Sequence, residues 1–274
     1  MIDLHTHTTA SDGRCTPSEL VARAVAAGVE VLSVTDHDTV AAWEEASTRC
    51  AAAGIELVPG IEITAILDGA DVHVLGYFID AWAPALHAFL AEQRRRRIDR
   101  VRQMIDRLGS FGIRLDADAI LQPGIDDTSK AVGRPWIARA LVAGGHVETA
   151  NEAFDRWLSR GRPAFVPRLG VRPEEVLARI HEAGGVASLA HPALLARDEL
   201  IAGFAAAGFD ALEAYHSDHD AESTLRYLGL ADRLGLAVSG GSDYHGDGSH
   251  GTLGPGSVSL PREAYEKLKA RSHS

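Results

Sequence analysis

Short β-type runs alternate with amphipathic helical segments at both ends of this 274-residue chain, and that alternation constrains its fold most. Ile2 to Leu4 reads as a strand. Thr16-Pro17-Ser18-Glu19 reads as a helix start: Thr16 can cap, Pro17 suits the first helical position and Glu19 can close a capping box. Gly28 ends that helix, and Val29 to Val34 is the next strand. A helix from about Val40 to Ala53 follows, then a third strand from Ile55 to Val58. Ile61 to Leu67 and Val72 to Phe78 can pair as a hairpin, with Asp68-Gly69 in the turn. The alternation resumes near residue 171, with strands at Val186 to Leu189, Phe209 to Ala214 and Leu236 to Ser239, and helices between them. Such short connections predict a parallel sheet or a β/α barrel.

Between about 81 and 167 the strand signals stop. Glu92 to Leu108, Trp136 to Ala143 and Glu152 to Leu158 read as helices, so this stretch is expected to be an inserted helical subdomain capping the active site. The barrel would then comprise 1–80 and 168–274. The run Arg94 to Arg97, with Arg100, Arg102 and Arg107, makes the first inserted helix basic. A solvated helix face is the ordinary meaning of such a run; a surface that attracts phosphate or an RNA tail is the functional one.

The chemistry lies in where the histidines fall. The chain has 13 of them, and many follow predicted strands together with carboxylates. His5, His7 and Asp12 follow the first strand, Asp36 and His37 the second, and Glu62 the third; His73 lies in the hairpin. His191, then Glu213 with His216, then Asp243 with His245 follow the later strands. In a β/α barrel those strand ends converge on one face, where active sites are built. His5 and His7 lie two apart on extended backbone, so both imidazoles project to one side. Imidazole with carboxylate suits Zn, Mn or Fe. The six histidines His5, His7, His37, His73, His191 and His245, with Asp12, Glu62 and Asp243, exceed one ion's needs and imply two or three. His87, His181, His219, His250 and His273 fit no such pattern and read as structural or surface residues, and His146 is ambiguous.

Composition excludes several classes. Apolar residues at 46% and charged residues at 24% describe a globular protein, and no run reaches the length of a membrane helix. Cys15 and Cys50 form no C-x-x-C motif, so neither a disulfide framework nor a zinc–cysteine site is expected, and no signal peptide is visible. A cytoplasmic location fits this reading. The formal charge of −11 argues against general coating of nucleic acid.

His5-Thr6-His7 with Asp12, Thr35-Asp36-His37-Asp38, Glu62, His73, His191-Pro192 and Gly241-Ser242-Asp243-Tyr244-His245 together resemble the polymerase and histidinol phosphatase (PHP) superfamily. The likeness covers about 1–80 and 165–260. Gly133-Arg134-Pro135 and Gly161-Arg162-Pro163-Ala164 resemble its small stand-alone phosphoesterases, which act as nucleoside 3′,5′-bisphosphate phosphatases or as 5′-to-3′ exonucleases on short RNA. The resemblance implies an α/β fold, a distorted seven-stranded TIM-like barrel, with three divalent ions, Mn²⁺ first and Fe or Zn as alternatives. It assigns His5, His7, Glu62 and Asp243 to one ion, Glu62, His73 and His191 to a second, and Asp12, His37 and His245 to a third. Many relatives have His after Gly-Arg-Pro, where this chain has Trp136; a Trp there can stack on a base or join a core.

The expected reaction is removal of the 3′-phosphate of a nucleoside 3′,5′-bisphosphate by a metal-bridged hydroxide. Arg134 would hold phosphate oxygens, His216 would act as general acid or phosphate donor, Lys130 would meet a second phosphate, and Asp36 would orient a metal-bound histidine. The expected partner is a small phosphorylated nucleotide or a short RNA, with no membrane and no stable nucleic-acid complex. A histidinol-phosphate phosphatase, an amidohydrolase and a non-catalytic scaffold module are the rivals.

Overall fold

The computed structural model describes residues 1–127, 132–246 and 254–272. They divide into two compact units, residues 1–89 with 171–274 and residues 90–170.

The first unit is a barrel. Seven strands lie side by side in chain order: β1 (Ile2–Asp3), β2 (Val31–Val34), β3 (Glu56–Leu67), β4 (Ala70–Tyr77), β5 (Val186–Leu189), β6 (Ala211–Tyr215) and β7 (Ala237–Gly240). The sheet is parallel from β1 to β3 and from β5 to β7, whereas β4 runs antiparallel to both neighbours. Beyond β1 and β7 the chain is joined by a parallel bridge between Thr6 and Tyr244, with the His7 N–H donating to the Tyr244 carbonyl at 3.0 Å. That seam nearly closes the sheet. It requires a residue without a side chain at position 241, where a Cβ would lie 2.3 Å from the His5 nitrogen.

The third expected strand and the first hairpin arm are one strand. β3 runs unbroken through Pro59 and Gly60, because a tight approach to β2 is possible there: a Cβ on Gly60 would meet the Ser33 hydroxyl. The hairpin turns at Asp68-Gly69, both at positive φ (51° and 74°), as a tight I′-type connection requires.

Helices pack on the outside. The capping box expected at Thr16 is present on α1 (Pro17–Ala27), and α2 spans Trp43–Ala53. α7 (Pro173–Glu182), α9 (Ile201–Ala207) and α10 (Ala221–Leu234) follow the pattern read from sequence. α8 (Pro192–Leu195) and α11 (Arg262–Lys269) were not expected. One core beneath the rim gathers Leu4, Val31, Val58, Leu75, Tyr77, Val186 and Tyr265, all buried.

The second unit is helical. α3 (Pro84–Ser110) begins earlier than Glu92, and its first turns belong to the barrel unit, where Phe89 lies against Arg179 of α7. α4 (Ala117–Asp126), with Pro123 inside it, was not expected; α5 (Arg134–Ala143) and α6 (Ala150–Ala153) follow, the last continuing into a π-helical turn at Phe154–Leu158. Met104, Leu108, Leu121, Ile137, Leu141 and Leu158 form its buried core. Among the described residues, no helix is long and apolar enough to cross a membrane.

Candidate metal centre

Most of the histidines and carboxylates named from the sequence meet at the rim formed by the C-terminal ends of the parallel strands. His5 and His7 follow β1, His37 follows β2, His191 follows β5, and Asp243 and His245 follow β7. Glu62 and His73 reach the same rim differently. β3 continues past it as a hairpin, so Glu62 is mid-strand, bridged to His37, and the reversed direction of β4 brings its early residue His73 back to the site.

Glu62 is the hub. Its Oε2 lies 3.5 Å from His5 Nε2, 3.4 Å from His7 Nε2 and 3.0 Å from His37 Nδ1. Its Oε1 lies 2.9 Å from His73 Nδ1 and 3.1 Å from His191 Nε2. Asp243 Oδ1 completes the first set, 3.3 Å from His5 Nε2 and 3.1 Å from His7 Nε2. A further set surrounds Asp12, whose Oδ1 is 3.3 Å from His245 Nε2 and 3.7 Å from His7 Nδ1 and whose Oδ2 is 3.7 Å from His37 Nε2. His7 and His37 therefore each stand between two sets, with one ring nitrogen toward each.

These donors fit divalent metal. Two ligands about 2.1 Å from one ion at roughly tetrahedral or octahedral angles lie about 3.0–3.4 Å apart, close to these separations. His5 Nε2, His73 Nδ1 and both ring nitrogens of His7 are buried and make no well-aligned hydrogen bond to the described residues. Buried imidazole nitrogens left so are costly unless something else takes their lone pairs. The far sides of two rings are tied down as metal-binding histidines require. His5 Nδ1 donates to Glu213 Oε1 at 3.0 Å, and His245 Nδ1 donates to the Asp243 carbonyl at 2.9 Å. Four overlapping groups of these side chains each bring three or four donor atoms within 4.8 Å of one another.

The electrostatics follow from this crowding. Burial opposes the charge on Glu62, but His37, His73 and His5 outweigh it and hold its carboxyl well below the usual range. Burial likewise opposes a charged His245, yet the hydrogen bond and attraction to Asp12, with Asp243, lift it to about 9. Burial and the neighbouring His245 push His7 down to about 4. His5 and His7 are wholly buried, whereas the Asp12 side chain is 45% exposed, so the centre opens on the Asp12 side.

His216 is one of the four groups' members, with His5 and Asp243. Its Nδ1, however, accepts the Asp218 N–H at 3.0 Å, which leaves the proton of a neutral ring on Nε2. That Nε2 points at Asp243 Oδ2, 3.3 Å away. His216 is thus a donor beside the candidate metal ligands.

Asp36 departs from expectation. Among the described residues it orients no imidazole: its oxygens accept the Thr8 N–H at 2.8 Å, the Thr8 hydroxyl at 2.6 Å and the Ser11 hydroxyl at 2.5 Å. It pins the loop between His7 and Asp12, because its strand end faces that loop's backbone. Two buried carboxylates were missed as site residues. Asp3 accepts from the N–H of Ser242, His5 and Gly256 and from the Ser242 hydroxyl, tying both sides of the seam. Glu213 was noted only as a strand-end residue. The signal that could have marked both is an acidic residue inside an otherwise apolar strand.

The remaining expectations fall in the helical unit. Arg134 opens α5, its guanidinium 5.7 Å from the Phe154 ring centre. Trp136 packs against that unit's core, with Arg139 over its ring. Lys130 lies outside the described residues. The basic run is largely tied up internally. Arg94 donates to the Gly124 and Asp127 carbonyls, Arg100 to Val166 and Arg107 to Phe165, while Arg95 and Arg96 pair with Glu92. Of the histidines set aside, His219 is buried and donates to the Ala214 carbonyl, and His181 pairs with Asp210.

A PHP domain family model matches residues 3–158. The chain belongs to the PHP family. Along nearly its whole length it is similar to a 3′,5′-nucleoside bisphosphate phosphatase from Chromobacterium violaceum, 34% identical over 278 residues covering 98% of this chain and 97% of the relative. A 5′-3′ exoribonuclease from Salmonella typhimurium is 37% identical over 250 residues, covering 89% of this chain and 84% of that one. Among solved structures, a Bifidobacterium adolescentis chain assigned by inference to the metal-dependent phosphoesterases superposes with a TM-score of 0.85 at 33% identity, covering 99% of this chain and 96% of the other. The PHP chain described here is therefore a metal-dependent phosphoesterase, a hydrolase of phosphate esters. The scaffold reading falls away, whereas the amidohydrolase name is carried by a Chromobacterium violaceum structure that superposes with a TM-score of 0.83 at 33% identity, covering 98% of this chain and 96% of the other.

Proposed function

We propose that this PHP phosphoesterase removes the 3′-phosphate of nucleoside 3′,5′-bisphosphates, such as 3′-phosphoadenosine 5′-phosphate, to give the 5′-monophosphate and phosphate. The observation that carries this substrate is coverage. Similarity to the bisphosphate phosphatase spans 97% of that relative, against 84% of the exoribonuclease. A net charge of −11 also favours one small phosphorylated substrate over a long RNA.

The cofactor in this reading is three divalent ions, Mn²⁺ first, with Fe or Zn as alternatives. His5, His7, Glu62 and Asp243 would hold one, Glu62, His73 and His191 a second, and Asp12, His37 and His245 the third. Divalent ions bound there would make water acidic enough to attack at neutral pH and would neutralise phosphate oxygens. The chain's own groups do the rest. His216 keeps its proton on Nε2, hydrogen-bonded toward Asp243 Oδ2, and would turn that N–H to a phosphate oxygen as a hydrogen-bond donor; to act as general acid it would first take a second proton on Nδ1. Arg134 offers a planar fork of donors to a phosphate, and Trp136 offers a stacking face.

Phosphate release in Mn²⁺ from 3′-phosphoadenosine 5′-phosphate, histidinol phosphate, AMP and a short 5′-phosphorylated RNA tests the reading. The bisphosphate is expected to turn over fastest, and faster histidinol phosphate hydrolysis would overturn it. The second reading, 5′-3′ exonucleolysis of short RNA, is favoured by the higher identity to the exoribonuclease and predicts mononucleotide release instead.

A further inference from the structure

Glu213 is fully buried on β6, yet its two oxygens end on two different donors of the metal centre. Oε1 accepts from His5 Nδ1 at 3.0 Å, and Oε2 accepts the backbone N–H of His191 at 2.7 Å. The first bond leaves the His5 lone pair on Nε2, the atom that faces Glu62 and Asp243. The second holds a residue at φ 25°, a backbone conformation that side-chain-bearing residues rarely adopt. That residue's Nε2 faces the other oxygen of Glu62, at 3.1 Å. The two rings lie stacked, with centres 5.9 Å apart. The strand is shaped for this: β6 shifts register against β7 between Glu213 and Tyr215, immediately beyond the carboxylate.

We propose that Glu213 is a positioning residue that sets His5 and His191 together, preparing the metal donors on both sides of Glu62 at once. The proposal rests on the metal centre described above. Its chemistry needs a carboxylate, because both oxygens must accept. A glutamine amide offers one acceptor and one donor, so either rotation turns an N–H against the N–H of His5 or of His191. Glu213→Gln breaks one link with almost no change of shape. Glu213→Asp keeps both acceptors on a shorter stem.

The test is a Co²⁺ titration of metal-stripped wild type, E213Q and E213D, followed by the visible absorption of bound cobalt and by cobalt content after gel filtration. E213Q with wild-type circular dichroism is expected to bind about 10–100-fold more weakly with an altered cobalt spectrum, and E213D to recover part of the loss. E213Q affinity within about twofold of wild type, with an unchanged spectrum, overturns the proposal. If E213Q does not fold, histidine ¹⁵N shifts of zinc-loaded wild type decide: a proton on His5 Nδ1 supports it, and one on Nε2 refutes it. Wild type that binds no cobalt would instead remove the metal centre, and this proposal with it.

Discussion

The barrel rim and the helical unit each concentrate charged and ionisable side chains, and they use them in opposite ways. In the helical unit, Arg94, Arg100 and Arg107 reach backbone carbonyls, and Arg95 and Arg96 reach Glu92. Those donors serve the structure of their own unit. At the rim, His5, His7 and His73 turn buried nitrogens toward carboxylate oxygens without aligned hydrogen bonds, so they face shared points in space. The lesson is that a cluster's composition says less than where its lone pairs and protons aim.

The largest test of that contrast removes a rim donor. Asp243→Ala or His7→Ala, or stripping with a chelator, is expected to lower kcat by at least about 10³-fold, roughly 4 kcal/mol, in a phosphate-release assay with metal content measured alongside. High turnover with depleted metal would break the contrast at its rim side. Next comes the helical core. Leu141→Ala empties a fully buried site and is expected to cost about 3 kcal/mol in chemical denaturation, while leaving Mn²⁺ affinity at the rim unchanged.

A smaller effect depends on pH. In the metal-free chain His245 is lifted to about 9, so its charged form stabilises the fold below its ordinary value of about 6.5, and that contribution fades as pH rises through 9. Metal competes with the same proton. Apparent metal affinity is therefore expected to rise from pH 7 to 9, by up to about tenfold per unit for each proton displaced, as calorimetry in buffers of different ionisation enthalpy would read. The smallest effect separates the two meanings of the basic run. Arg100→Ala is expected to cost about 1 kcal/mol of stability through its bond to Val166 and to leave KM unchanged; a raised KM for a phosphorylated substrate would return the run to phosphate binding. Arg134→Ala, by contrast, is expected to raise KM for a bisphosphate.

Much of the barrel was legible because its signals are local. Thr16 with Glu19, Asp68 with Gly69, and the alternation of β-type runs with helices each act within a few residues. The gathering of the candidate metal donors was legible because strand ends share a face. What escaped was long-range or interior. Glu213 meets His5 across 208 residues, and Asp3 meets Ser242 across 239, and no periodicity reports such pairs. Asp36 sat at an expected strand end, but its partners were decided by the loop beside it. α4 was hidden by Pro123, which reads as a break in any helical pattern. The join of β3 with its hairpin arm was hidden by Pro59-Gly60, which reads as a turn.

The seam between Thr6 and Tyr244 has a consequence for the chain during synthesis. Glu62 and His73 lie on one hairpin and can meet as soon as that hairpin has emerged. Asp243 and His245 come last, on the segment that closes against the first strand. A ribosome therefore releases a partial set of donors early and the complete set only once the segment after β7 has emerged. Tight metal capture becomes a mark of a chain made past β7, and a fragment cut short before β7 would keep the hairpin donors yet lack the grip.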